Sequence, residues 1–397
     1  MEKYIQNKLK HLNLIKITPI QQKVFEKFEE KSNLICVAPT GTGKTYAYLL
    51  PVLSKIIWDK NIIQAVIVVP TNELVFQTLE NLNKIENKKS QIKIFFGGMN
   101  RIKTYKKLEK KQPSIIISTL EKLFEYAYNL KKINIYKSSF LILDEADMFL
   151  ESNYLSLLKT LLSKWKPKIL FFSASIDKKT KPFIDKHFGK SIFININEKQ
   201  KLNLNYYISK SPKNNRIKDL IQFLNQKNPF FAFIFVSNKK EQLNIYEILK
   251  KKFNILNFSS NFSVKERKRK MIEIKKNKYQ YVITSDLASR GLDIEDISWI
   301  IHYDLPKRNL KFFQHRNGRT GRMNKQGNIL LFYDNEDENA LLKIKQKNNI
   351  KFNKIILSNK EKFSKKIKTK NKKIFNFKKI KKEKEKLFTK KNKFKKK

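Results

Sequence analysis

Apolar residues fall in short runs along this chain, and each run ends in small or polar residues. In a first region the runs are Leu34–Ala38, Ala65–Pro70, Ile92–Phe96, Ser114–Ser118, Phe140–Asp144 and Lys168–Ser173. In a second they are Phe230–Ser237, Asn254–Ser259, Gln280–Ser285, Ser298–Asp304 and Asn328–Tyr333. Runs of this length predict strands buried on both faces, and helix-compatible stretches separate them. That alternation predicts two doubly wound parallel α/β sheets in tandem. Asn203–Lys218, with S-K-S-P-K-N-N at its centre, reads as a connector into the second sheet. The expected domains are residues 1–202, 203–358 and a tail at 359–397.

In such sheets ligands meet the carboxyl ends of strands, so the residues after each run carry the chemistry. Leu34-Ile35-Cys36-Val37 is followed by Ala38-Pro39-Thr40-Gly41-Thr42-Gly43-Lys44-Thr45 and then a helical pattern. Strand, small-residue loop and helix form a phosphate cradle. Gly41 and Gly43 allow the backbone to aim several N–H groups at one anion, and the helix N-terminus adds its dipole. Lys44 then reaches outer phosphates and the Thr45 hydroxyl can hold Mg²⁺. Ala38 in place of glycine makes this a relaxed P-loop. A second run, Phe140–Asp144, ends in D-E-A-D. Asp144 can position Mg²⁺ and Glu145 can activate the attacking water.

Composition adds a partner class. The 397 residues carry a formal charge of +51, a balance that points to nucleic acid. Residues 359–397 alone hold 20 Lys against 3 acids, with Phe interleaved, a pattern for tracking phosphates and stacking on bases. A Lys-, Asn- and Ile-rich coding bias is the alternative source of this charge. Only nine Arg stand beside 77 Lys, and five of them (Arg267, Arg290, Arg316, Arg319, Arg322) lie in the motifs below. Cys36 is the single cysteine, which excludes an intrachain disulfide and a Cys-rich metal site. The first residues lack the apolar centre of a signal peptide, and no apolar run approaches a membrane span, so the expected location is the cytoplasm.

Taken jointly, these motifs resemble those of the DEAD-box ATP-dependent RNA helicases, with the match running from about Tyr4 to Tyr333. T-P-I-Q at Thr18–Gln21 matches the family's adenine-reading element, and Tyr4 stands at its upstream aromatic position. S-A-S at Ser173–Ser175 is similar to S-A-T. Ile234–Ser237, Ile283–Ile294 and His315–Arg322 match the fourth, fifth and sixth elements, the last departing at Asn317. The resemblance implies two RecA-like domains flanking a cleft. ATP and Mg²⁺ would bind the first, with RNA lying across both. It assigns Asp293 to the ribose hydroxyls and Arg319 with Arg322 to the γ-phosphate. Asp147, Ser173, Ser175, His315 and Arg316 would join the halves. Pro70, Thr71, Gly97, Gly98, Thr119, Lys122, Arg267, Ser285, Arg290 and Gly291 would face RNA.

Several RNA-facing positions depart from the family pattern. Asn72 replaces an arginine, Glu121 introduces an acid, and Ser259-Ser260 stands where His-Gly is usual. The expected function is local unwinding or remodelling of structured RNA by a monomer, in ribosome assembly on precursor particles or in RNA turnover. The alternative is an ATP-binding RNA clamp or annealing protein with weak hydrolysis.

Overall fold

The computed structural model describes residues 1–14, 16–39, 41–99, 104, 108, 111–196, 203–259, 261–286, 294, 297–306, 311–321, 326–348 and 350–357. The chain divides into a compact unit, Met1–Asn353, and a second, Lys354–Lys397. The tail at 359–397 lies outside the described residues.

The first sheet contains β1 (Asn33–Val37), β2 (Ala65–Val68), β3 (Ile92–Phe95), β4 (Ile115–Ser118), β5 (Phe140–Asp144), β6 (Lys168–Ser173) and β7 (Ser191–Asn195). Their order across the sheet is β3-β4-β2-β5-β6-β1-β7, and each adjacent pair runs parallel. Helices α1 (Glu2–His11), α2 (Pro19–Lys27), α3 (Lys44–Leu53), α4 (Asn72–Ile85), α5 (Leu120–Phe124), α6 (Ser152–Leu162) and α7 (Lys181–Phe188) accompany it. Successive side chains on a strand point to opposite faces, so one strand feeds two cores. In β1, Leu34 and Cys36 join the core under α2 and α3, whereas Ile35 and Val37 join the core on the other face. Burial on both sides explains why these strands are continuous apolar runs.

The second sheet has β8 (Leu204–Lys210), β9 (Ala232–Phe235), β10 (Ile255–Phe258), β11 (Tyr281–Thr284), β12 (Trp299–His302), β13 (Gly327–Tyr333) and β14 (Phe352–Lys354). The order is β10-β11-β9-β12-β13-β8-β14. Helices α8 (Arg216–Lys227), α9 (Lys239–Leu249), α10 (Val264–Lys275), α11 (Lys311–Asn317) and α12 (Glu338–Asn348) accompany it.

The expected connector at Asn203–Lys218 is instead β8 followed by the start of α8. Leu204–Lys210 pairs along its whole length with Gly327–Tyr333. Tyr206 and Tyr207 are only half-buried, packing on Phe313 and Trp299. A strand near the sheet margin needs fewer apolar residues, which is why its sequence reads as a linker.

Candidate ATP site and interdomain cleft

The P-loop is closed partly on itself. Gly41 and Gly43 both have positive φ, 79° and 88°. Ala38 donates its N–H to the Ser173 carbonyl at 3.0 Å, anchoring the loop to β6. The Lys44 ammonium donates to the Ala38 and Pro39 carbonyls at 2.7 and 3.2 Å, and the Thr42 hydroxyl donates to Pro39 at 2.8 Å. Lys44 therefore keeps a third donor for an incoming anion. Thr40 lies outside the described residues.

Thr18 and Gln21 form a capping box at the start of α2. The Gln21 side chain accepts from the Thr18 N–H at 2.9 Å and donates to the Gly43 carbonyl at 3.2 Å. The T-P-I-Q element and the P-loop are thus one bonded unit. Each end of the Gln21 amide retains one further bonding position. Tyr4 donates its hydroxyl to Glu86 at 2.6 Å, and Lys8 bonds the same carboxylate at 2.6 Å. The aromatic expected at the adenine is therefore tied to the residue that ends α4.

Asp144 ends β5 and is buried. Its Oδ1 accepts the Glu145 N–H and its Oδ2 the Tyr48 hydroxyl, both at 3.0 Å. Burial, then the neighbouring Glu145 charge, push its carboxyl up to about 6, against the opposing pull of Lys44 and Tyr48. Glu145 occupies the left-handed region at φ 53°, ψ 48°. That conformation costs a non-glycine residue energy and is found where surrounding structure over-determines it. Its Oε2 is buried with no hydrogen-bond partner, so an acceptor stands ready for a proton donor.

Asp147 gathers three groups. Ser173 and Ser175 donate to it at 2.7 and 2.9 Å. From the second half, His315 Nε2 lies 3.1 Å from its Oδ2. Burial alone would raise the Asp147 carboxyl. The bond from His315 and its charge, then the serine hydroxyls, outweigh that and hold it well below the usual carboxylate range. His315 Nδ1 is 3.9 Å from Glu145 Oε2, so one imidazole meets both acids.

Arg316, expected to bridge the halves with His315, makes its described bonds inside the second half. Its guanidinium is 1% exposed. It pairs with Asp286, donates to the Asp304 carbonyl at 2.8 Å and the Ser237 hydroxyl at 3.1 Å, and covers the Phe235 ring at 5.1 Å. Five donors in a planar fork suit a hub joining the fourth, fifth and sixth motifs. A second guanidinium does cross the cleft: Arg267 on α10 pairs with Glu73 in the first turn of α4. Arg319 is buried in the turn after α11. Arg290, Gly291, Asp293 and Arg322 lie outside the described residues.

The RNA-facing positions are partly occupied by local bonds. Asn72 clamps the Gly97 peptide, accepting its N–H at 3.0 Å and donating to its carbonyl at 3.3 Å. Thr71 caps α4 through Leu74. Pro70 precedes it, and Gly98 turns at φ 88°. Thr119 stands at the start of α5 without a side-chain cap bond, and Lys122 pairs with Glu125. Ser285 is buried after β11. Asn317 accepts from His302 Nε2 at 2.8 Å, so the departure in the sixth motif has a structural partner. Glu86 and Tyr48 fall in no sequence motif, because each acts through a contact distant along the chain.

Two parallel sheets, a P-loop after one strand, an acid pair after another and a cationic motif reaching across define a two-domain P-loop nucleotidase of the helicase type. A sequence model of the DEAD/DEAH box helicases matches residues 18–183, and one of the helicase conserved C-terminal domain matches residues 212–324. The DEAD-box ATP-dependent RNA helicase CshB of Bacillus subtilis (strain 168) is 31% identical, covering 91% of this chain and 84% of that protein. The CshB of Bacillus cereus is 30% identical, covering 90% and 84%. This chain belongs to the DEAD-box helicase family. Its fold is similar to that of S. cerevisiae Dbp5 bound to RNA and ADP BeF3, with a TM-score of 0.80 at 20% identity, covering 92% of this chain and 96% of that one. It is also similar to Mss116p bound to ssRNA and AMP-PNP, with a TM-score of 0.78 at 26% identity, covering 90% and 78%.

Proposed function

We propose that the chain hydrolyses ATP in response to RNA and uses closure of its two halves to separate or remodel short stretches of structured RNA. The observation that carries this reading is the His315 bridge, which places an imidazole of the second half on Asp147 and beside Glu145. Lys44 and the P-loop amides hold the phosphates, and Gln21 reads the adenine. Thr45 and Asp144 offer the hard oxygen donors that suit Mg²⁺, which when bound neutralises charge on the β- and γ-phosphates. Glu145 takes the proton of the attacking water. Arg319 and Arg322 complete the phosphate site on closure. A γ-phosphate that biases a two-state cleft is the general form of such a switch.

The target is structured RNA, with precursor ribosomal particles as the favoured setting and the Lys-rich tail as a sequence-independent tether. The protein acts as a cytoplasmic monomer. Among the described residues no helix is long and apolar enough to cross a membrane.

Phosphate release with and without a structured RNA tests the reading. Release is expected to rise severalfold with RNA, and Glu145→Gln is expected to abolish turnover while ATP-dependent RNA binding persists. An ATPase rate indifferent to RNA would leave the clamp reading instead. Truncation at Asn359 is expected to lower affinity for structured RNA and flatten its salt dependence.

A further inference from the structure

Tyr48 sits one turn into α3, directly beyond Lys44 and Thr45, and is fully buried. Its ring meets Phe172 of β6 edge-on, with centroids 5.1 Å apart, so the phenol is fixed in place. Its hydroxyl donates to Asp144 Oδ2 at 3.0 Å. The hydroxyls of Thr45 and Thr78 approach the same phenol oxygen. A phenol has one proton and two lone pairs. The proton goes to the carboxylate, and the lone pairs are left facing the Thr45 and Thr78 hydroxyls.

We propose that Tyr48 is a positioning residue for the metal-holding pair Thr45 and Asp144, and that it ties this pair to α4. The proposal rests on the ATP-site reading above. Without the phenol, Asp144 keeps only the Glu145 N–H at Oδ1, and its plane is free to turn about the terminal torsion, which is broad for aspartate. With it, both carboxylate oxygens are aimed. Thr78 is buried in the middle of α4. The first turn of that helix carries Asn72, bonded to Gly97, and Glu73, paired with Arg267. A shift of α4 would therefore reach Asp144 through the Tyr48 hydroxyl. Supporting groups of this kind govern how well ligands are oriented for a metal.

The test uses the full chain, a fluorescent non-hydrolysable ATP analogue and a Mg²⁺ titration, with a structured RNA present or absent. Tyr48→Phe keeps the ring and its Phe172 contact and removes only the hydroxyl. The expected result is an approximately threefold to tenfold higher Mg²⁺ requirement for half-maximal analogue binding, with Mg²⁺-free binding and the melting midpoint nearly unchanged. A Mg²⁺ curve identical to the parent protein overturns the proposal, as does a lowered melting midpoint with an unmoved curve. Thr78→Val tests the α4 link separately. It is expected to reduce the tightening of the Mg²⁺ curve by RNA, and an RNA effect equal to that of the parent removes the link. If the parent protein itself binds the analogue without regard to Mg²⁺, the ATP-site reading fails first, and the proposal falls with it.

Discussion

His315 Nε2 and Asp147 Oδ2 stand 3.1 Å apart across the cleft between the two sheets. The carboxylate is 2% exposed, so loss of its cationic or donor partner leaves a buried charge short of one bond. A hydrogen bond to a charged group is worth about 1.5–3 kcal/mol. His315→Ala is therefore expected to lower RNA-stimulated turnover by roughly tenfold to a hundredfold, while nucleotide binding to the full chain is kept. Steady-state phosphate release beside equilibrium binding of a fluorescent nucleotide makes the comparison. Equal loss in both would place His315 in nucleotide binding instead.

Glu73 and Arg267 form a second bridge at a different edge of the cleft. Breaking one side of a buried pair costs more than the pair contributes, about 3–5 kcal/mol, and this one is partly shielded by the Phe258 ring 4.6 Å from the guanidinium. Glu73→Gln is expected to weaken ATP-dependent RNA binding at least tenfold. The double exchange Glu73→Arg with Arg267→Glu should recover part of it. Electrophoretic mobility shifts with a non-hydrolysable ATP analogue read the effect, and absence of any recovery would argue for an RNA contact by Arg267 alone.

At Gly43 an added Cβ would come within 2.6 Å of Gln21 Nε2, at a backbone φ of +88°. Gly43→Ala meets both a clash and a left-handed conformation. We expect nucleotide affinity to fall by more than tenfold with a melting midpoint close to that of the parent. Adding Gln21→Ala relieves the clash but leaves the backbone cost, so the double variant should recover only in part. Isothermal titration with ATP and with ADP distinguishes these cases.

The second half carries a pH signature in His302. This ring is fully buried, accepts from Arg316 on Nδ1 at 3.2 Å and donates to Asn317 from Nε2. Burial, then the Arg316 charge, push its titration down to about 3, against about 6.5 in an unfolded chain. The unfolded state binds the proton first. The stabilising effect of the neutral ring is complete above pH 6.5 and declines as the pH falls toward 3. The melting midpoint is expected to drop below pH 6.5 in the parent protein and to drop less in His302→Gln. A parallel decline in both would trace the effect to other groups.

Much of this architecture was legible because parallel strands covered on both faces must be continuous apolar runs. β1, β2, β4, β5 and β6 stand out for that reason. β7 and β8 do not, since Ser191–Asn195 and Leu204–Lys210 leave several positions half-exposed and admit Asn, Ser and Lys. At the site, residues that act through fixed spacing were readable: the P-loop, D-E-A-D and the sixth motif. Tyr48 meets Asp144 across 96 positions and Tyr4 meets Glu86 across 82, and no local pattern encodes such meetings. One clue existed for Tyr48. Its place three residues after Thr45 puts both on the same helical face. Arg316 shows the converse. Its motif announced a functional arginine, but the direction of its fork depends on Asp286 and Asp304, which folding brings to it.

Helix α4 is held at three places along its length: Arg267 at Glu73, Tyr48 at Thr78, and Tyr4 with Lys8 at Glu86. Fourteen residues make a rod of roughly 21 Å, and a helix this short transmits a push without bending. The three attachments belong to the far half of the molecule, the P-loop helix α3 and the N-terminal helix. A displacement imposed at any one of them is passed to the other two, so α4 couples them as a rigid strut.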